Sequence, residues 1–387
     1  MSLAFWQPNY VARKVLQLHG WFLDIMTRVL GSFTFMTKPL FALLLWMPAG
    51  FVCSDVFAQT ASEYQGAAMK KYEAHDYDGA IADCTKELAL DPKNAEAYDT
   101  RGSAKFGKLD FDGAIADYTQ ALTLDPETER ASAYYGRGDA KYQKGDLDGA
   151  IADYTQGLAL DPKNAFAYFW RGHIKAQKRD WDGAIADYTQ ALTLDPKHIS
   201  LYYILGDAKF FKGDLDGAMA DFTQGLALDP KDANAYNGRG AVKQAKGDFT
   251  GAVADYNRAI ALAIAPNDCY TLICREQTLR QLGSTPTDFS QTVAGWKDGW
   301  LKSIGQYMTG SLDEGGLLAA AAKGDAETVA DKQCMADYFI GMMRLQSADT
   351  AGAREFFQKC LATDKQDFTE YQLAKAELAR LDAAAKK

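Results

Sequence analysis

The chain is poor in the side chains that most often carry chemistry. In 387 residues it has four histidines (His19, His75, His173, His198) and six cysteines (Cys53, Cys84, Cys269, Cys274, Cys334, Cys360), the latter in no zinc-ligand spacing. HExxH, CxxC, GxSxG and the phosphate-loop pattern do not occur, so no metal, cofactor or catalytic constellation is expected and the chain reads as non-enzymatic. Positive charge is also short: 42 Lys and Arg against 51 Asp and Glu leave a net charge of −9. A nucleic-acid partner would require a basic face, so that class is excluded. A further shortage is of long apolar runs. Leu40–Val52 is 13 residues, whereas a membrane-spanning helix needs about 20.

That short run has the makings of an export signal. Lys38 precedes it, and Val56-Phe57-Ala58 offers a cleavage point after Ala58. Met36 would open a compact signal, so residues 1–58 read as a signal peptide with a possible true start at Met36. The expected location is periplasmic or secreted, the alternative being anchorage through an uncleaved segment; membrane contact is expected only if that segment is retained. Cys53 as a lipid attachment site is disfavoured by Val52, since a small residue is wanted there.

What the chain has in abundance is repetition. Gly-Ala pairs begin at Gly79, Gly113, Gly149, Gly183, Gly217 and Gly251, at spacings of 34, 36, 34, 34 and 34. Asp-Pro follows at Asp91, Asp125, Asp161, Asp195 and Asp229, with Ala265-Pro266 as a shifted sixth instance. Tyr64, Tyr98, Tyr134, Tyr168, Tyr202 and Tyr236 each precede by four a small residue: Ala68, Gly102, Gly138, Gly172, Gly206 and Gly240. These small residues are expected to face a second set (Ala80, Ala114, Ala150, Ala184, Ala218, Ala252) across a helix hairpin. Asp112–Pro126 and Asp182–Pro196 are identical, and Asp146–Lys163 differs from Asp214–Lys231 at two positions, which points to duplication of a two-repeat unit.

A period of 34 with this punctuation resembles the tetratricopeptide-repeat (TPR) family over residues 61–266. The resemblance implies an all-α, right-handed superhelical solenoid of antiparallel helix hairpins, in which no hairpin buries its apolar faces alone and stacking makes the core. Residues 59–266 read as six repeats, 267–332 as a divergent helical segment in which Trp296, Trp300, Ile304 and Tyr307 share one helical face, and 333–387 as a further hairpin with a closing helix. Cys334–Leu381 is similar to the end of periplasmic bacterial TPR lipoproteins, through CxxxYFxxG at Cys334 and Phe368, Glu370, Tyr371, Ala374, Glu377 and Leu378 in the last helix. That similarity implies an adaptor for cell-wall enzymes.

In this fold the first helix of each hairpin lines a concave groove, so its outward side chains are the candidate site. Phe106, Tyr135, Tyr142, Phe169, Trp170, Tyr203 and Phe210 would form an aromatic ladder suited to an extended peptide. A sugar-stacking or peptidoglycan-binding surface is the alternative use of the same rings. Arg101, Arg137, Arg171 and Arg239 recur against Asp117, Asp153, Asp187 and Asp255 and are expected to bridge the two helices of each hairpin. Lys71, Lys105, Lys141, Lys175, Lys209 and Lys243 are expected to be a solvated stripe. Asp110-x-Asp112-Gly113 echoes a calcium loop, but Lys108 and Thr119 stand where ligands are needed. Cys334 and Cys360 are the candidate disulfide, because export would place them in an oxidising compartment. The expected partners are proteins or peptides, and the oligomeric state is not legible.

Overall fold

A computed structural model describes residues 49–124, 131–262, 269–284 and 288–386, with side chains described from residue 61 onward; the regular elements in these ranges are helices. Six antiparallel hairpins follow one another: α1 (Ala49–Glu73) with α2 (Tyr77–Leu90), α3 (Ala95–Gly107) with α4 (Phe111–Leu124), α5 (Ala131–Gln143) with α6 (Leu147–Leu160), α7 (Ala165–Gln177) with α8 (Trp181–Leu194), α9 (Ile199–Lys212) with α10 (Leu215–Leu228), and α11 (Ala233–Lys246) with α12 (Phe249–Leu262). Then come α13 (Cys269–Gln281), α14 (Phe289–Ala294), α15 (Trp300–Met308), α16 (Glu314–Ala321), a long α17 (Ala326–Gln346) paired with α18 (Thr350–Ala362), and α19 (Thr369–Ala385). Residues 1–48 and the 125–126 and 265–266 junctions lie outside the described residues, so the expected signal lies largely there; α1 runs unbroken across position 58.

Local chemistry sets the hairpin ends. Each second helix is capped by an aspartate, as in Asp76, Asp110, Asp146, Asp180, Asp214 and Asp248. Its carboxylate accepts from the amide of the glycine three residues on, at 2.9–3.0 Å. A Cβ on Gly79 would lie 2.2 Å from the Asp76 carboxylate, which explains why the Gly-Ala marker begins with glycine. First helices are capped from Asn94, Asn164 and Asp232. The turn between the two helices passes through left-handed backbone at one register: His75, Leu109, Gly145, Arg179, Gly213 and Gly247 all have φ between 60° and 93°.

Inside a hairpin the small residue of the first helix meets the aromatic ring of the second. A Cβ on Gly102 would touch the Tyr118 ring at 3.1 Å, and one on Gly240 the Tyr256 ring at 2.8 Å. The sequence reading paired these glycines with the alanines four residues earlier on the second helix. Those alanines are fully buried, but the ring is what lies over the glycine. First helices of neighbouring hairpins also touch directly (α1 with α3, α3 with α5, α9 with α11, α11 with α13), and no pair of second helices does so to the same extent. The first helices therefore line the inner face.

The C-terminal region departs from the expected layout. Trp296 and Trp300 do not share a helix, because the chain turns at 295–299 between α14 and α15. Phe289, Val293, Trp296, Ile304 and Met308 join Phe222, Tyr338, Phe357, Leu373 and Ala374 in one core that runs from Tyr203 to Ala374. Helices α9 to α11 and the helices after α12 thus share one interior, while Ala252 and Tyr256 of α12 form a small cluster of their own with Cys274. The closing helix α19 packs on α18 and α17 and also against the inner-face helices α9 and α11, so it does more than cover a solenoid end. Among the described residues no helix is long and apolar enough to cross a membrane, and no group of three or more His, Cys, Asp or Glu could hold a metal ion.

The strained turn yields a stability test. Leu109 has φ 66° with an exposed side chain, so Leu109→Gly removes a left-handed penalty without removing a contact. The expected gain is about 1 kcal/mol, read as a raised melting temperature of the second hairpin.

Candidate functional site

The charged series are structural. Arg101 grips Asp117 with two parallel bonds of 2.9 and 2.7 Å, and the same fork recurs in Arg137–Asp153, Arg171–Asp187 and Arg239–Asp255. Each guanidinium also lies over the tyrosine three residues before it, at 5.3–5.6 Å. The lysine stripe is not a solvated face. Lys105, Lys141, Lys175 and Lys243 have side chains about one-fifth exposed and share the Oδ2 that the arginine Nε already bonds, at 2.7–2.8 Å. The reason is that an aspartate buried inside the hairpin needs more than one cation to compensate its desolvation. The bond to Asp117 holds the Arg101 guanidinium above its ordinary range. In the fifth hairpin Leu205 replaces the arginine; Asp221 keeps only Lys209, and burial pushes its carboxyl up. Asp187→Ala strands Arg171 and Lys175 and is expected to cost about 3 kcal/mol. Arg171→Leu reproduces the fifth hairpin and should cost about 1 kcal/mol; thermal melts with hydrogen exchange across α7 and α8 measure both.

The candidate aromatics do not form one free ladder. Tyr135 leans over α6: a Cβ on Gly157 would meet its ring at 2.3 Å, and its ring centroid is 5.8 Å from Tyr154. Phe106 packs on Phe111 at 5.5 Å. Tyr203 (7% exposed) and Phe210 (3%) are buried in the shared core against Phe222 and Phe211, so these two offer no open surface. Their burial follows from the fold-back of the C-terminal helices, which sequence spacing gave no means to foresee.

The middle of the inner face keeps a half-buried cluster. Tyr142 of α5 meets Trp170 and His173 of α7 at 5.9 and 6.1 Å; Phe169 stacks on His173 at 6.2 Å and meets Trp170 edge-on at 5.5 Å. Gln177 donates to the Tyr142 hydroxyl at 2.7 Å, and that hydroxyl lies 3.3 Å from His173 Nε2. Among the described residues the buried Trp170 Nε1–H has no hydrogen-bond partner. Sequence reading missed His173 and Gln177. The available signal was register: His173 stands where neighbouring hairpins have Asp139 and Asp207, four residues after the ladder position. Burial pushes Asp207 up to about 7 and lowers His173 to about 4.

Cys84 is fully buried, as expected for a core residue, and burial pushes its thiol up to about 12. Cys334 and Cys360 do face each other across α17 and α18, buried, with sulfurs 3.3 Å apart; both are free thiols.

These repeats match the tetratricopeptide-repeat family at residues 95–128 and at 138–179, 172–210 and 206–247. Residues 95–128 and 138–247 are tetratricopeptide repeats. The chain's class is therefore that of a protein–protein interaction scaffold for protein or peptide partners, and such repeat proteins are typically non-enzymatic. No curated protein matches the chain. Among solved structures it is similar to YrrB, a TPR protein described as having an unusual peptide-binding site (22% identity, 50% of this chain and 97% of that one, TM-score 0.46). It is also similar to the MamA protein (29%, 46% and 95%, 0.42) and to a tetratricopeptide-repeat protein from Parabacteroides merdae (17%, 73% and 98%, 0.48).

The low value of His173 has a signed consequence. Its folded value lies below the ordinary 6.5, so the stability that neutral imidazole gives the cluster is complete above pH 6.5 and is lost as pH falls toward 4. Imidazole NMR should place its midpoint near 4, and His173→Gln should flatten the loss of melting temperature across that window.

Proposed function

We propose that this chain is an exported TPR scaffold that holds peptide segments of partner proteins on the inner face of its second to fourth hairpins, in cell-envelope assembly. The observation that carries the reading is the half-buried cluster of Tyr142, Phe169, Trp170 and His173 on the first helices of two adjacent hairpins, with the exposed Gln177 side chain donating to the Tyr142 hydroxyl at its edge. Rings of this kind give contact area at low entropic cost, and polar neighbours give register. Export is supported by the apolar run Leu40–Val52 with Lys38 before it and Val56-Phe57-Ala58 after it.

The test is site-specific photocrosslinking in a native envelope fraction, with the photoreactive residue at Gln177 on the inner face or at exposed Gln156 on α6. Discrete protein adducts at position 177, absent at 156 and weakened severalfold by Phe169→Ala in a variant of unchanged helicity, are the expected result. Equal adducts at both positions would remove the inner-face claim. Cosedimentation with purified sacculi in place of protein adducts would instead support a polysaccharide ligand.

A further inference from the structure

The chain carries an example of its own recognition chemistry. Residues 364–385 travel along the turn edge of the inner face, one hairpin at a time. Arg179, in the turn of the fourth hairpin, bonds the Asp364 carbonyl and pairs with Asp367 at 2.9 Å. Gln372 donates to the Phe211 carbonyl at the end of α9, at 2.8 Å. Arg380 donates to the Gln244 and Ala245 carbonyls at the end of α11, at 2.6 and 2.7 Å, and its guanidinium lies 5.2 Å from the Phe249 ring centroid.

The Arg380 seat has three parts: two carbonyls at the negative end of a first helix, and the ring of the residue that starts the second. The repeat carries the same parts elsewhere. In the second hairpin, 138 residues earlier, they are the carbonyls of Phe106 and Gly107 and the ring of Phe111; in the first they are those of Tyr72 and Glu73 with the ring of Tyr77. Phe111 and Tyr77 are half-buried, and among the described residues α19 packs chiefly on α9, α11, α17 and α18, away from both. The third and fifth hairpins have Leu147 and Leu215 in place of the ring, and at the fifth α19 presents a neutral glutamine instead of an arginine.

We infer that the turn edge of the first and second hairpins is a docking surface for a partner helix that presents arginine, laid along the array in the direction of α19. Complementarity supports an arginine. The chain is net negative at −9, the helix ends point carbonyls outward, and guanidinium is the side chain that pairs carbonyl donation with stacking on a ring. Spacing supports a helix. Gln372 and Arg380 are eight residues apart on α19 and serve adjacent hairpins, a span of about 12 Å along a helix. The partner's contacts should therefore recur about every eight residues. The inference rests on the scaffold reading and names the partner chemistry at one part of that surface.

The test uses the full chain, whose own α19 already fills the sixth seat, and a fluorescein-labelled synthetic peptide of residues 364–385 as probe. Saturable 1:1 binding is expected. It should weaken about tenfold with Phe111→Ala in the protein and with Arg380→Gln in the peptide, the scale of one desolvated cation–π contact with its hydrogen bonds. It should be unaffected by Phe249→Ala. Absence of saturable binding overturns the inference, as does binding insensitive to Phe111→Ala. Binding abolished by Phe249→Ala alone overturns it too, because the peptide would then be exchanging with the chain's own helix. Photoadducts at position 177 without peptide binding would sink this inference and leave the scaffold reading standing.

Discussion

Everything in this array hangs on an aromatic ring pressed onto a glycine backbone. Tyr118 on Gly102, Tyr154 on Gly138, Phe222 on Gly206 and Tyr256 on Gly240 are the same contact, so tight that a Cβ would come within 2.8–3.2 Å of the ring. Because the ring needs that gap, the helices of each hairpin come close enough for the arginine, lysine and aspartate beside it to meet. The salt-bridged layer is thus a result of the close approach and then fixes its register. Tyr118 also reaches the next hairpin, where a Cβ on Gly136 would meet its hydroxyl at 2.6 Å. One ring joins two glycines and so couples the inside of a hairpin to its stacking on the next.

That much was open to sequence reading, because it repeats. The period, the alternation of Gly157 and Gly225 with Ala121 and Ala191, and the Arg–Asp register could each be read several times over. The partner of each glycine was misread because spacing places two side chains on one helix face without saying which is long enough to cross the gap. The lysines were misread because a charge at a recurring position looks solvated until the burial of its aspartate is known. Least legible was whatever occurs once. Tyr203 and Phe210 resemble Tyr135 and Tyr142 in register, yet they are buried by a segment more than a hundred residues away that no period encodes.

The seam where that segment returns is polar inside. Gln244 donates to the Tyr338 hydroxyl at 3.1 Å and accepts from Tyr256 at 3.0 Å; Gln281 donates to Glu377 at 2.8 Å. Burial pushes the carboxyls of Glu370 and Glu377 up, and both polar side-chain atoms of Gln277 lie buried with no hydrogen bond among the described residues. A wholly apolar seam would hold at least as tightly but would tolerate sliding of α19 along the inner face. Bonds aimed at single carbonyls allow one placement.

The interior shared by residues 203–374 divides the molecule mechanically. Toward the amino end the first three hairpins lean chiefly on their neighbours, through small separate clusters around Tyr118 and Tyr154, so that stretch can wind or unwind by small rotations at every junction. Toward the carboxyl end the same hairpins are clamped into a block that resists such twisting. One end of the molecule behaves as a spring and the other as the mount to which it is fixed.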